Sequence, residues 1–301
     1  MEANKSMPAY QIWWLAARPK TLPAAAAPVI AATALAFHDG FLQPLVALAC
    51  LLTALLLQIA ANLANDLFDF QRGTDTNERL GPLRVTQAGL LSASQIKTGM
   101  AVCFLLAAFL GIYVSILSSW HILLIGIAAI IAALAYSGGP IPYGYYGLGE
   151  LGVFLFFGLA AVCGTYFGQT KTITTASILI SISMGCLSTA ILVVNNLRDI
   201  ATDRLAGKKT LSVIFGESFT RYEYFNLLVV AFIIPIILCV KGLTTPYVLV
   251  SFLSIPMALR TGRKVYQSHG RALNQVLAET GQLELIFALF IGLGFILDKV
   301  I

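Results

Sequence analysis

Charged residues are scarce in this chain of 301 residues: Asp, Glu, Lys and Arg make up 11% of it, and 58% of it is hydrophobic. A soluble domain carries about 25% charged residues. With a mean hydropathy of +0.84, the chain has too little polar side-chain surface to cover a water-soluble fold. We therefore expect an all-α, polytopic membrane protein. Its length suits a single integral-membrane domain over residues 1–301.

Soft metal ligands are also sparse. The chain has three histidines and five cysteines, and the cysteines lie in apolar runs at unrelated spacings. This pattern excludes a disulfide framework and the common zinc motifs, both of which need Cys or His at short, regular intervals. Any metal site in this protein should therefore be built from oxygen ligands.

Long apolar runs are what the sequence has in abundance. A helix needs roughly 17–25 apolar residues to cross a bilayer. By this criterion the sequence predicts nine membrane-spanning helices, at about 22–38, 44–66, 97–117, 120–137, 150–168, 174–196, 223–240, 244–260 and 281–298. Only Ser118 and Ser119 join the third and fourth segments, which predicts a tight helical hairpin.

The 19 Lys and Arg residues are distributed unevenly between the two sides of this predicted bundle. Sixteen fall at the N-terminus or in the loops after the second, sixth and eighth spans, and only Lys171, Lys241 and Lys299 fall on the other side. Cytoplasmic loops carry such an excess. We therefore expect a cytoplasmic N-terminus and an external C-terminus. The net charge of +5 is explained by this topology, so no nucleic-acid partner is expected.

Acidic residues and asparagines cluster where two of the apolar helices end on the cytoplasmic side. Each set recurs at helical spacing, which places it on one helix face: Asn62, Asn65, Asp66 and Asp69 in the first, and Asn195, Asp199 and Asp203 in the second. The segments ANDLFDF (64–70) and VNNLRDI (194–200) are also similar to each other. This similarity indicates a weak internal duplication, with motifs near 62–75 and 195–203 that face each other.

Carboxylates so close to the membrane are costly, and they indicate a functional site. Oxygen ligands suit Mg²⁺, which usually takes one or two carboxylates together with substrate phosphates. Basic residues that could bind phosphate are interleaved with the motifs: Arg72, Arg79, Arg84, Arg198, Arg204, Lys208 and Lys209. The sequence therefore predicts a Mg²⁺–diphosphate site above an apolar pocket, and a ligand with a diphosphate head and a hydrocarbon tail.

These motifs are similar to those of the UbiA superfamily of intramembrane aromatic prenyltransferases. The matching segments are NDLFD (65–69), GPLRVTQAGLLS (81–92), DIATD (199–203) and GKKTL (207–211). Within the superfamily, the chain resembles the branch that acts on 1,4-dihydroxy-2-naphthoate. ARPKTLP (17–23), YSGGPIPYGYYGLGE (136–150) and NNLRDI (195–200) carry that resemblance, which covers residues from about 16 to 216.

The resemblance implies a fold of nine helices and a specific reaction. Mg²⁺ and the basic residues would neutralise the pyrophosphate that leaves a polyprenyl diphosphate. The naphthoate would then attack the allylic cation at its carboxyl-bearing carbon and lose CO₂, giving a demethylmenaquinol or its phytyl equivalent. Its implied metal ligands are Asn65, Asp66, Asp69, Asp75, Asp199 and Asp203, with Asn62 as a further substrate ligand. Its implied aromatic wall is Tyr136, Tyr143, Phe156 and Phe157.

The sequence departs from the superfamily pattern at two places. Gly73 stands where the first motif often has a third aspartate, and Asp75 comes two residues later. The loop at 137–149 carries no basic residue, whereas other members often have one there. The carboxylate of the aromatic acceptor must therefore find its cation elsewhere, and Arg18 and Lys20 are the candidates.

Two alternatives stay open at this point. The acceptor could be 4-hydroxybenzoate or homogentisate, with the same chemistry. The protein could also be a cation or organophosphate transporter, although transporters place ionisable groups near the bilayer midplane on broken helices. We expect a multi-pass protein of the inner or plasma membrane, in contact with lipid, with its active site facing the cytoplasm. A thylakoid-type membrane is the other setting considered.

Overall fold

The computed structural model describes residues 7–73 and 80–301, and the regular structure in these ranges is helical, as predicted. In chain order the helices are α1 (Ala9–Ala17), α2 (Leu22–His38), α3 (Pro44–Gln71), α4 (Ala93–Leu117), α5 (His121–Ala135), α6 (Gly149–Val153), α7 (Ala161–Thr170), α8 (Thr175–Leu205), α9 (Leu211–Val240), α10 (Ile255–Gln267) and α11 (Leu273–Val300). A π-helix, Phe154–Ala160, joins α6 to α7. Shorter 3-10 turns complete the connections.

Two helices run further than the hydropathy pattern predicts. Helix α3 continues past residue 66 to Gln71, and α8 continues past residue 196 to Leu205. Hydropathy marks only the apolar part of a helix, so it ends before the polar last turns, whose helical form is predicted by the spacing of the motifs instead. As a result, Asp66, Asp69, Asp199 and Asp203 all lie on continuous helices.

Six helical segments in the described part of the chain are long and apolar enough to cross a membrane, and two of them, Ala9–His38 and Gly149–Thr170, are runs of consecutive helices. Helix α5 is a shorter apolar helix of 15 residues. The predicted span at 244–260 is not one α-helix. It is a 3-10 helix, Pro246–Ser254, followed by the amphipathic α10, with a proline near the start of each. The chain is therefore a multi-pass membrane protein whose helices differ in length and kind.

Helix α8 lies at the centre of the bundle. It packs against α9, α2 and α11, and the shared core contains Met184, Leu187 and Phe287, all fully buried. The π-helix also approaches α8 very closely. A Cβ at Gly158 would lie 2.6 Å from the Ser181 carbonyl oxygen and 2.7 Å from the Gly185 Cα. Small residues allow such backbone approach within a membrane.

The hairpin predicted at Ser118 and Ser119 is present. Helix α4 ends at Leu117, and α5 begins at His121 and packs back against it. The Ser118 amide donates to the Val114 carbonyl at 2.9 Å, and its hydroxyl donates to the Phe167 carbonyl at 3.2 Å. This turn closes the side of the bundle opposite the acidic motifs.

Candidate active site

The ends of α3 and α8 face each other across a cavity of about 420 Å³. Asn65 and Asp69 line it from α3, and Asn195, Asp199 and Asp203 line it from α8. Asp203 interacts electrostatically with both Asp199 and Asp69. The predicted convergence of the two helix ends is therefore observed.

The cavity is polar at its mouth and apolar below. Along α8 it extends from Asp203 down to Ser188, which is about 22 Å at 1.5 Å per residue. Its deeper wall is formed mainly by alanine, leucine and isoleucine side chains from α3, α4 and α5. This shape suits an amphiphile with a charged head and a long hydrocarbon tail.

In the first motif, Asp69 is held by two donors. Arg84 Nη2 lies 2.6 Å from its Oδ2, and the Tyr145 hydroxyl donates to its Oδ1 at 2.5 Å. Asp66 is turned towards the segment after α3 rather than towards the cavity, and its Oδ2 accepts from the Val85 amide at 3.1 Å. Its Oδ1 is buried and has no hydrogen-bond partner among the described residues.

In the second motif, each aspartate forms an ion pair with a neighbouring cation. Arg198 binds Asp199 through two nitrogens, at 2.8 and 2.5 Å, and also donates to Asn195 and Asn274. Lys208 Nζ lies 3.3 Å from Asp203 Oδ1. Both aspartates are buried, with 8% of their surface exposed, so these cations stabilise charges that water cannot reach well.

The ligands fit Mg²⁺ in kind: carboxylate and amide oxygens from two helices, including the unpartnered buried Oδ1 of Asp66. Within residues 7–73 and 80–301, no three His, Cys, Asp or Glu side chains converge as a preformed metal cluster. Asp69, Asp199 and Asp203 are instead paired with the basic and hydroxyl groups described above. Asp75 lies outside the described residues, and the metal-ligand roles remain predictions.

The predicted phosphate-binding residues lie at three kinds of position. Arg84 and Lys208 line the cavity, whereas Arg72 and Lys209 are exposed at its rim. Arg72 donates to the Gly139 carbonyl and lies 5.6 Å from the Tyr145 ring centre. The Lys209 backbone amide donates to the Tyr145 carbonyl at 2.7 Å. Arg198, which binds Asp199, is absent from the cavity surface.

The structure separates the two candidates for binding the acceptor carboxylate. Arg18 lines the cavity, whereas Lys20 is exposed and points elsewhere. Arg18 follows α1 with a φ of 52°, a left-handed conformation that turns the chain towards α2. Asn62 donates to the Ala17 carbonyl at 3.1 Å and to the Thr21 hydroxyl at 3.0 Å. Asn62 thereby anchors this turn, and Arg18 is the better placed cation.

The predicted aromatic wall is assembled. Tyr136 and Tyr143 meet edge to face at 5.4 Å and line the cavity with Phe156 and Phe157. Gly152 makes room for Tyr143, because a Cβ there would lie 2.5 Å from its Cε2. Burial raises the pKa of Tyr143 to about 12, so its hydroxyl stays protonated at neutral pH. The wall is therefore aromatic and uncharged.

The sequence analysis did not identify four polar residues of the site: Tyr145, Ser137, Glu150 and Asn196. Ser137 donates to Asn65 Oδ1 at 2.7 Å, and Asn196 donates to Glu150 at 2.8 Å. One signal was present, because Asn196 occupies the position of Asp66 in the repeated motif. Nothing in the sequence distinguished Tyr145 from the neighbouring tyrosines.

Comparison with known proteins agrees with this geometry. Residues 25–291 match the UbiA prenyltransferase family. The chain is 40% identical over 299 residues to 1,4-dihydroxy-2-naphthoate octaprenyltransferase of Haemophilus influenzae, covering 95% of this chain and 96% of that protein. It is 39% identical over 290 residues to the Mycobacterium tuberculosis protein of the same name, covering 95% and 97%. The chain belongs to the UbiA prenyltransferase family.

Solved structures share the fold. An apo UbiA homologue from Aeropyrum pernix superposes with a TM-score of 0.71 at 15% identity, covering 93% of this chain and 98% of that one. A UbiA homologue from Archaeoglobus fulgidus bound to DMAPP and Mg²⁺ gives a TM-score of 0.69 at 18% identity, covering 96% and 99%. At these identities the likeness establishes the fold.

Proposed function

We propose that this protein transfers a polyprenyl chain from a polyprenyl diphosphate to 1,4-dihydroxy-2-naphthoate, with loss of pyrophosphate and CO₂, to give a demethylmenaquinol. The observation that carries the proposal is the single cavity shared by both acidic motifs, in a chain 40% identical over nearly its full length to a protein named for this reaction. The names of these relatives specify an octaprenyl donor.

The mouth of the cavity would hold the diphosphate. Asn65, Asp69, Asp199 and Asp203 on the cavity surface would hold Mg²⁺, with Asp66 and Asp75 as further predicted ligands. When bound, Mg²⁺ would neutralise charge on the diphosphate and so favour departure of pyrophosphate. Arg84 and Lys208 lie at the same mouth and would donate to phosphate oxygens. Arg72 and Lys209 at the rim would attract the anionic head.

The aromatic wall lies just below the mouth, where the donor's first isoprene unit would sit. The faces of Tyr136, Tyr143, Phe156 and Phe157 would stabilise positive charge on the allylic carbon and exclude water. Arg18 would bind the acceptor carboxylate from the opposite side. The apolar part of the cavity would take the hydrocarbon tail. Asn62 would support Arg18 by anchoring the turn at Ala17.

The finer topology is also proposed. Nine membrane passages, a cytoplasmic N-terminus and an external C-terminus are supported by the Lys and Arg asymmetry. This orientation would place the active site at the cytoplasmic face of the cell membrane. The matching positions of Asn65 and Asn195, and of Asp69 and Asp199, on the cavity surface support an internal duplication within one domain.

Product analysis tests the acceptor. Purified protein in detergent would be given geranylgeranyl diphosphate, Mg²⁺ and an equimolar mixture of 1,4-dihydroxy-2-naphthoate, 4-hydroxybenzoate and homogentisate. We expect one prenylated, decarboxylated naphthalene product by mass spectrometry, together with released CO₂. A prenylated benzoate or homogentisate product would assign a different acceptor. Absence of pyrophosphate release with every acceptor would reject a prenyltransferase and favour a transporter.

A further inference from the structure

A buried carboxylate stands behind the wall of the cavity. Glu150 lies in the first turn of α6, is 5% exposed and does not itself line the cavity. Its Oε1 accepts a hydrogen bond from Asn196 Nδ2 at 2.8 Å, and its Oε2 has no partner among the described residues. Within the same residues Glu150 forms no ion pair. Such a group is costly to bury, and within the described part of the chain its one side-chain partner is Asn196.

Asn196 does line the cavity. It is 4% exposed and lies one helical turn below Asp199, on the membrane side of the diphosphate mouth. In the structure the Asn196 amide nitrogen donates to Glu150, which is the orientation that an ionised carboxylate requires because it only accepts hydrogen bonds. The amide oxygen Oδ1 is thereby directed away from Glu150, and the described residues supply no side-chain donor to it. Glu150 therefore fixes which end of this amide the cavity receives.

The environment of this pair is the aromatic wall. A Cβ on Gly149, the residue before Glu150, would lie 3.4 Å from the Tyr136 hydroxyl. Tyr136 also interacts electrostatically with Glu150. The Asn196 amide is thus placed at the level where donor and acceptor would react, between the charged mouth and the apolar tail region. At that level, a neutral hydrogen-bond acceptor with a fixed orientation is placed to take part in the reaction.

The chemistry of the proposed acceptor defines that use. In 1,4-dihydroxy-2-naphthoate, the hydroxyl beside the carboxyl-bearing carbon can donate to its own carboxylate. When a ring π pair forms the new C–C bond, that carbon becomes tetrahedral and the carboxylate leaves the ring plane. The hydroxyl then carries developing positive charge and lacks an acceptor. The C–CO₂ bond breaks, its electron pair restores the ring, and the hydroxyl keeps its proton.

We propose that Glu150 is a positioning residue that holds the Asn196 amide so that Oδ1 accepts a hydrogen bond from this hydroxyl during C–C bond formation. The proposal rests on the proposed function, because it requires the hydroxynaphthoate acceptor. An amide suits the role because it stabilises the charged hydroxyl without removing a proton that the product retains. The interaction forms in the transition state, so it acts on kcat rather than on acceptor binding.

The test compares Glu150→Leu, which removes the hydrogen-bond acceptor, with Glu150→Gln, whose amide oxygen can still accept from Asn196. We expect Glu150→Leu to lower kcat for naphthoate prenylation about 10- to 100-fold, which is the effect expected when a hydrogen bond to a charged group is lost. The acceptor KM should stay within about threefold, because the ground state does not use this bond. Glu150→Gln should restore most of kcat.

Two controls separate positioning from folding. Glu223→Leu removes a neighbouring carboxyl on α9 that interacts electrostatically with Glu150, and it should leave kcat within about twofold of the parent. Mg²⁺-dependent binding of geranylgeranyl thiodiphosphate should be equal in the parent and the Glu150 variants. If Glu150→Leu does not fold, Asn196→Ala decides, because it removes the amide and should lower kcat with donor binding intact.

Three results would overturn the proposal: an unchanged kcat in Glu150→Leu, a parallel loss of donor binding, or a Glu150→Gln variant as slow as Glu150→Leu. The last would show that the charge matters rather than the hydrogen bond. Failure of the proposed function is distinct from all three. It would appear in the unsubstituted protein as turnover of a different acceptor, or of none, whatever the state of Glu150.

Discussion

At the scale of single residues, three of the four aspartates on α3 and α8 are paired with cations of the same site. Arg84 pairs with Asp69, Arg198 with Asp199, and Lys208 with Asp203. A buried charge without a partner costs several kcal/mol, so the pairs allow carboxylates to sit at membrane depth before any ligand arrives. Part of each motif is therefore structural, and loss of activity alone does not define the role of its residues.

The Arg198 pair gives a stability prediction. Arg198→Met would leave Asp199 and Asn195 without their donor, and we expect a loss of about 3–5 kcal/mol in unfolding free energy. Thermal unfolding in detergent should show a clearly lower Tm. Arg204→Met, at an exposed position on the same helix, should stay within about 0.5 kcal/mol of the parent. Equal Tm values for the two variants would contradict the structural role of Arg198.

Tyr145 gives a metal prediction. Its hydroxyl occupies Asp69 Oδ1 at 2.5 Å, while Lys208 Nζ lies 4.5 Å from its ring centre. Tyr145→Phe keeps the ring but removes the competing hydroxyl. Because one hydrogen bond contributes about 0.5–1.5 kcal/mol, we expect the Mg²⁺ concentration for half-maximal activity to fall about two- to tenfold. A higher Mg²⁺ requirement would mean that the hydroxyl supports the metal site instead.

At the scale of elements, α3 and α8 could be predicted from the sequence, because apolar length and i, i+4 spacing both identify them. The π-helix could not, since Phe154–Ala160 reads as an ordinary apolar segment. The 3-10 helix at Pro246–Ser254 could not be predicted either, because it also reads as an ordinary apolar segment. Hydropathy measures burial in lipid and does not register how the backbone is wound.

The contact between the π-helix and α8 predicts a sensitive glycine. In Gly158→Ala the new methyl group would meet backbone atoms of Ser181 and Gly185 at 2.6–2.7 Å, and backbone cannot move aside easily. We expect a loss of about 1–3 kcal/mol, seen as a lower Tm. Gly262→Ala in α10, where nothing lies within 4 Å, is the matched control and should be neutral or stabilising. A Gly158→Ala protein as stable as this control would refute the close packing.

At the scale of the whole molecule, the charge asymmetry predicts how the bundle is oriented in the membrane, and this orientation can be measured. In a cysteine-free background, Lys171→Cys and Lys209→Cys would be treated with a membrane-impermeant thiol reagent in sealed right-side-out vesicles. Both positions are exposed. We expect Lys171→Cys to be labelled directly and Lys209→Cys only after permeabilisation. The reverse pattern would invert the proposed topology.

The whole molecule also shows where sequence reasoning stopped. The facing of the two motifs could be predicted, because both end apolar helices on the side rich in Lys and Arg. That Arg18 lines the cavity and Lys20 does not could not be predicted, because this difference depends on the left-handed conformation of Arg18 after α1. The pairing of Glu150 with Asn196 could not either, because it joins elements distant in sequence. The metal-ligand roles of the aspartates remain predictions.

The central claim is that both acidic motifs form one Mg²⁺–diphosphate site. Its most direct test is prenyl transfer from geranylgeranyl diphosphate to 1,4-dihydroxy-2-naphthoate by the purified protein, with Mg²⁺, with EDTA, and in Asp69→Asn and Asp203→Asn. One of these substitutions lies in each motif. We expect the product to disappear with EDTA and the activity to fall at least about 100-fold in each variant, because each variant loses a charge at the proposed Mg²⁺–diphosphate site. Undiminished product with EDTA, or full activity in either variant, would contradict a single shared site.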